Sequence, residues 1–183
     1  MTGVEDAKNL MVIRPRLAEQ EAARKLILRS LMPPFQKIGM EKVEVCYLPH
    51  YLFTIKLQWK RDVTAVDAAV DALLGHFAHW EQKGLNMEVA KEGGGEIPFS
   101  LSREAAEQKL REQYRWTLIT SAMKTRKRFE IQEIIAGPRV YYPFWTGYYR
   151  VRGKWRFEVL DAVSGMRQGG KVRDALLMAW MKK

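Results

Sequence analysis

Two rhythms of apolar residues alternate along this chain, and their order starts again halfway. Residues 17–31 set Leu26, Ile27 and Leu31 among good helix formers such as Glu21, Ala22, Ala23 and Lys25, and Pro33-Pro34 stops the run. Residues 42–59 are rich in Val, Tyr, Phe and Ile, with Val43, Val45 and Tyr47 alternating. They predict two strand segments meeting near Pro49. Val66, Val70, Leu73, Phe77 and Trp80 then fall on one narrow helical face. Thr64 would cap that helix, Asp67 and Asp71 suit its positive end, and Gly84 lies just past its end.

Residues 91–98 (KEGGGEIP) read as a flexible connection. Beyond it, Ser102 caps a helix to about Thr125, with Ala106, Leu110, Tyr114 and Leu118 on one face. Residues 129–136 predict a strand and Gly137-Pro138 a turn. Residues 140–152 and 154–160 predict a hairpin about Gly153, and residues 172–181 a closing helix. A three-residue loop, Arg152-Gly153-Lys154, keeps Tyr149, Val151, Trp155 and Phe157 on one apolar face. The same register sets Arg150 opposite Arg156, a like-charge pair that calls for an anion or an acidic side chain such as Glu130 or Glu158.

Short strings recur in the same order. The ten residues from Leu17 to Leu26 (LAEQEAARKL) set beside those from Leu101 to Leu110 (LSREAAEQKL), and Cys46-Tyr47-Leu48-Pro49-His50-Tyr51 beside Val140-Tyr141-Tyr142-Pro143-Phe144-Trp145. Asp71-Ala72-Leu73-Leu74 sets beside Asp174-Ala175-Leu176-Leu177. The expected fold is therefore α+β, a tandem diverged repeat of helix–antiparallel strands–helix units packed about a pseudo-two-fold. Its parts are residues 1–92, a linker at 93–98 and residues 99–183.

Composition sharpens this picture in one respect. Hydrophobic residues make up 47% of the 183, enough for a packed core. Residues 1–100 hold 13 Lys/Arg against 13 Asp/Glu, and residues 101–183 hold 18 against 8, so the whole +10 excess lies in the second half. That asymmetry points to an anionic partner. A lone cysteine, Cys46, excludes an intramolecular disulfide framework and a Cys-rich zinc site. The first nine residues carry Glu5 and Asp6 and no apolar run, and no stretch is apolar enough to span a bilayer, so the cytoplasm is the expected compartment.

The second half resembles the PepSY-type domain. Leu101-Ser102-Arg103-Glu104-Ala105 matches its helix opening, and Asp161-Ala162-Val163-Ser164-Gly165 matches its strand ending, over about 65 residues. Asp71-Ala72-Leu73-Leu74-Gly75 is similar but sits within the periodic run of the first half. The resemblance implies a binding or inhibitory module without catalytic residues.

Catalytic schemes lack their parts. His76 and His79 stand three apart on the predicted helix without a third ligand, which points to a partly buried His76 and a solvated His79 rather than a metal site. Cys46 and His50 share a strand parity but carry no family signature of a Cys–His nucleophile. Glu130 and Glu133 fall on opposite faces of a strand. Gly93-Gly94-Gly95 and Gly169-Gly170-Lys171 lack the setting of a phosphate loop. No cofactor, metal or catalytic residue is expected.

Binding chemistry is better represented. Lys124, Arg126, Lys127 and Arg128 end the long helix, and Arg150, Arg152, Lys154 and Arg156 surround Gly153. Trp145 and Tyr148 stand near them as stacking rings. Rings interleaved with cations stack bases and hold phosphates. The expectation is a binding or assembly protein whose basic C-terminal half meets nucleic acid first, or an acidic protein surface second. Two alternatives remain open. One is a PepSY-like module binding a peptide in an apolar groove. The other is a subunit that meets a protein partner or its own copy through Leu176, Leu177, Trp180 and Met181 on the closing helix.

Overall fold

The computed structural model describes residues 10–29, 37–81, 85–89 and 97–181. Among these residues nine strands and three helices follow in the order β1 (Leu10–Ile13), α1 (Glu19–Lys25), β2 (Leu28–Arg29), β3 (Lys37–Ile38), β4 (Met40–Trp59), β5 (Asp62–Asp71), β6 (Phe77–His79), β7 (Met87–Val89), α2 (Arg103–Thr125), β8 (Glu130–Val151), β9 (Lys154–Asp161) and α3 (Gly170–Met181). Seven strands form one mixed sheet, ordered β6-β5-β4-β8-β1-β7, with β9 also paired to β8. The β1–β8 pair is parallel, and β4–β5, β5–β6 and β8–β9 are antiparallel.

This sheet replaces the expected repeat of helix–strands–helix units. The decisive segment is 62–71, expected as helix and folded as β5. Val66 and Val70 fit both a four-residue and a two-residue period, so the segment is ambiguous. In the fold Val66, Ala68, Val70 and Ala72 take one face, Val66 opposite Ile55 and Val70 opposite Tyr51. On the other face the Thr54 hydroxyl donates to Asp67 Oδ1 at 2.7 Å across the ladder. Burial against an aromatic strand overrides the helix propensity of the alanines, whose small side chains lie where a helix packs.

Other boundaries also move. The first helix ends at Lys25 rather than Leu31, and Pro33-Pro34, Gly84 and residues 91–96 of the expected connection lie outside the described residues. Neither Pro49 nor Gly137-Pro138 interrupts a strand; both lie inside long ones. A Cβ on Gly137 would stand 3.1 Å from the Leu52 carbonyl oxygen, so this glycine admits a close backbone approach instead of a turn.

The chain divides into two compact units, residues 1–12 with 49–141, and residues 13–48 with 142–183. In the first, α2 lays Ala106, Leu110 and Tyr114 on Tyr51, Phe53, Ile55, Leu57, Ala68 and Val70. Ser102 caps α2 by accepting from the Ala105 N–H at 3.2 Å. The entry to α2 is fixed from β5. Asp71 accepts from the N–H groups of Leu73, Leu74 and His76, while Ser100 and Leu101 donate to the Ala72 carbonyl. The Tyr51 hydroxyl donates to the Leu101 carbonyl at 2.9 Å.

The second unit has the core Leu17, Ala22, Leu26, Trp145, Leu160 and Ala162. Here Asp161 accepts from Val163 and Ser164, Arg16 and Leu17 donate to the Ala162 carbonyl, and the Trp145 indole N–H donates to the Leu17 carbonyl at 2.9 Å. The turn at Asp71 thus has its local counterpart at Asp161. The string at Asp174 lies within α3 and is not that counterpart.

Candidate functional site

The basic hairpin of the second unit is built by its turn. Val151 pairs with Lys154, which leaves a two-residue loop, Arg152-Gly153, with φ of 52° and 77°. Two consecutive positive φ values define the primed turn whose twist matches the flanking strands. The expected three-residue loop is therefore corrected, and every rung shifts by one. Tyr149 is fully buried, with its hydroxyl donated to the Leu26 carbonyl, and this fixes the inner face of β8. Across the hairpin Tyr149 faces Arg156, and Arg150 faces Trp155. The expected Arg150–Arg156 opposition does not occur.

The shift exposes a ring expected within the apolar face. Trp155 is 65% exposed, with Arg150 directly across from it. Tyr148 faces Phe157 on a rung of the same face. Trp180 of α3 completes an aromatic floor, 4.9 Å from Phe157 and 5.7 Å from Tyr148 between ring centres. Lys42, Tyr148, Trp155, Phe157, Leu177 and Trp180 line a groove of about 590 Å³. Leu177 and Met181 of α3 are exposed, whereas Leu176 is buried.

Tyr148 is half-buried, and its hydroxyl donates to Glu44 Oε1 at 2.7 Å. Burial first, then the bond to the Glu44 carboxylate, holds its phenol far above the usual range. Glu44 also pairs with Lys42, whose ammonium lies 5.9 Å from the Tyr148 ring centre. The Tyr148 hydroxyl is committed, and only the ring offers itself to a ligand.

Trp145 is not a stacking ring. It is 8% exposed and its N–H is bonded to Leu17, so it belongs to the core. Trp155, not Trp145, is the exposed tryptophan beside the hairpin's cations. The signal was available in the sequence: a two-residue loop at Arg152-Gly153 turns Trp155 to the outer face with Arg150.

Arg150, Arg152, Lys154 and Arg156 are all exposed, and none makes an ion pair or side-chain hydrogen bond among the described residues. Neighbouring cations are already engaged. Arg167 donates to the carbonyls of Lys25 and Ile27, and Arg173 lies 3.6 Å from Glu158 and over the Phe157 ring.

The second basic cluster belongs to the first unit. Lys124, Arg126, Lys127 and Arg128 are exposed at the end of α2, where Arg126 takes the left-handed C-cap conformation with φ of 57°. The Lys127 ammonium stands 4.7 Å from the Trp59 ring centre, and that of Lys60 5.0 Å. The two clusters thus lie in separate units, each with its own aromatic neighbour.

The remaining candidates resolve into structure. His76 lies in the turn between β5 and β6, its Nδ1 3.6 Å from Asp71 Oδ2, and exposed His79 rests against Phe77 and Tyr114. Cys46 and His50 belong to different units. Glu133 pairs with Lys56 at 2.8 Å. Among the described residues no three His, Cys, Asp or Glu side chains are grouped to hold a metal, and no helix is long and apolar enough to cross a membrane. The chain matches no protein-family model, no curated protein and no solved structure.

Proposed function

We propose that this is a binding protein whose basic C-terminal half holds single-stranded nucleic acid on the outer face of the β8–β9 hairpin. One observation carries the reading: the exposed Trp155 indole stands directly opposite Arg150, which has no ion pair among the described residues, near the tip of a two-strand ladder. A base stacked on the indole leaves its phosphate beside Arg150 on the same face and Arg152 in the turn, while Lys154 and Arg156 leave the strand on the opposite face and add to the positive field at the tip. Stacking on a hairpin ring needs a base splayed from its neighbours, which a duplex does not present. The hairpin carries no acidic side chain from Arg150 to Phe157, and Glu44, which lines the adjoining groove, is paired with Lys42 and bonded to the Tyr148 hydroxyl.

The test is binding of labelled single-stranded DNA and RNA with unlabelled duplex as competitor. Weak competition by duplex supports the reading. Equal competition assigns the surface to backbone charge alone.

A second reading has its own observation. The groove beside Tyr148, Phe157 and Trp180 is mainly apolar, and Leu177 and Met181 border α3 in the open. That suits an extended peptide or another protein, as the PepSY-like resemblance implies. Such binding would change little with salt, whereas phosphate contacts weaken steeply.

A further inference from the structure

The C-terminal half of α2 carries an apolar stripe that the fold does not use. Trp116, Ile119 and Met123 are 71%, 47% and 79% exposed. At about 100° per residue they fall within about 60° of one another, on the side of the helix away from the core residues Ala106, Leu110 and Tyr114. Arg115 lies on one flank of the stripe and Lys124 on the other. From Gln113 to Phe129 the chain holds five cations, Arg115, Lys124, Arg126, Lys127 and Arg128, and no acidic residue.

We infer that this face of α2 docks on the surface of a phospholipid bilayer bearing anionic headgroups. The apolar stripe enters the acyl boundary, and the flanking cations reach back to the headgroup phosphates. A tryptophan is well suited to that interface, since its ring is amphipathic. This surface belongs to the first unit and the hairpin to the second, and the inference does not rest on the nucleic-acid reading.

Three observations favour lipid over other occupants. Thr120 beside the stripe donates its hydroxyl to the carbonyl of Trp116 in the preceding turn. It brings no unmet donor into a medium of low polarity. A nucleic-acid backbone would engage the cations but leave Ile119 and Met123 without a role. A second copy of this segment would bring five further cations and no acidic residue to the same interface, so that like charges gather at its edges.

The experiment is co-sedimentation of the full chain with phosphatidylcholine vesicles, with and without phosphatidylserine. Binding is expected only with phosphatidylserine, and Trp116→Ser/Ile119→Ser/Met123→Ser should weaken it by at least about tenfold. Met123→Glu alone, at the most exposed position, serves as a second variant whose folding is not in question. Lipids brominated in the acyl chain should quench part of the tryptophan emission, and Trp116→Phe should remove that part. The inference is overturned by three results. One is no phosphatidylserine-dependent binding. Another is binding unchanged by the stripe variants, which would be adhesion by charge alone. The third is a concentration-dependent rise in molecular mass that the stripe variants abolish, which would make the face an interface between copies.

Discussion

Removing the carboxylate of Asp71 tests how the first unit is held together. Asp71 is 6% exposed and accepts from three backbone N–H groups, Leu73 at 3.1 Å, Leu74 at 2.7 Å and His76 at 2.6 Å. Hydrogen bonds to a charged group contribute about 1.5–3 kcal/mol each, and a buried N–H left without an acceptor loses about 1–3 kcal/mol. Leu73 is buried, but Leu74 and His76 are only half-buried, so water recovers part of their loss. Asp71→Ala is therefore expected to destabilise by about 3 kcal/mol or more, a large share of the roughly 5–15 kcal/mol typical of a domain. Asp71→Asn keeps Oδ1 as acceptor for Leu73 and Leu74 but turns an amide N–H₂ toward the His76 N–H, and should lose about 2 kcal/mol. Urea unfolding followed by circular dichroism measures both, provided the denaturant slope stays constant. The turn at Asp161 is more open, so Asp161→Ala should lose less than Asp71→Ala. A loss below about 1 kcal/mol for Asp71→Ala would refute the view that this carboxylate organises the entry to α2.

Gly153 has φ of 77° and no atom within 4 Å of an added Cβ, so Gly153→Ala should lose about 1 kcal/mol from backbone conformation alone, and Gly153→Asn less, by urea unfolding. Tyr142 and Tyr148 are both held protonated well above the ordinary phenol range, first by burial and then by the carboxylates of Asp161 and Glu44. Because the folded value exceeds the unfolded value near 10, their contribution is fully present below about pH 10 and is lost as pH rises beyond it. Thermal unfolding of Tyr142→Phe/Tyr148→Phe should therefore fall less steeply above about pH 10 than that of the parent chain. Trp145→Ala removes a core ring and leaves the Leu17 carbonyl without its donor, so it should lose about 3–5 kcal/mol, whereas Trp155→Ala should leave unfolding within about 0.5 kcal/mol.

The sequence made some elements plain and hid others for definable reasons. Helix α2 was legible because Ser102, Ala106, Leu110 and Tyr114 combine a cap with a clean stripe over several turns. Strand β5 was hidden because Val66 and Val70 satisfy two periods at once, and only pairing with Tyr51 and Ile55 chooses between them. Gly137-Pro138 looked like a stop, yet the glycine serves a neighbouring strand that sequence separation conceals. At the site, the cations around Gly153 were visible as charge, but their partners were not. One residue too many in the expected loop exchanged the faces of β9 and hid the exposed Arg150–Trp155 rung.

The central claim is that the hairpin holds single-stranded nucleic acid through the Trp155 ring and the cations at its tip, and fluorescence anisotropy over a salt series tests it most directly. For the parent chain, affinity should fall steeply with salt. Replacing Arg150, Arg152, Lys154 and Arg156 together by Ala should flatten the slope of log K against log salt by up to about 3, at about 0.7 for each phosphate no longer neutralised. Trp155→Ala should weaken binding by about 5-fold to 100-fold and leave that slope unchanged, because stacking releases no counterions. Absence of binding at low salt, or a slope and affinity untouched by either variant, would contradict the claim.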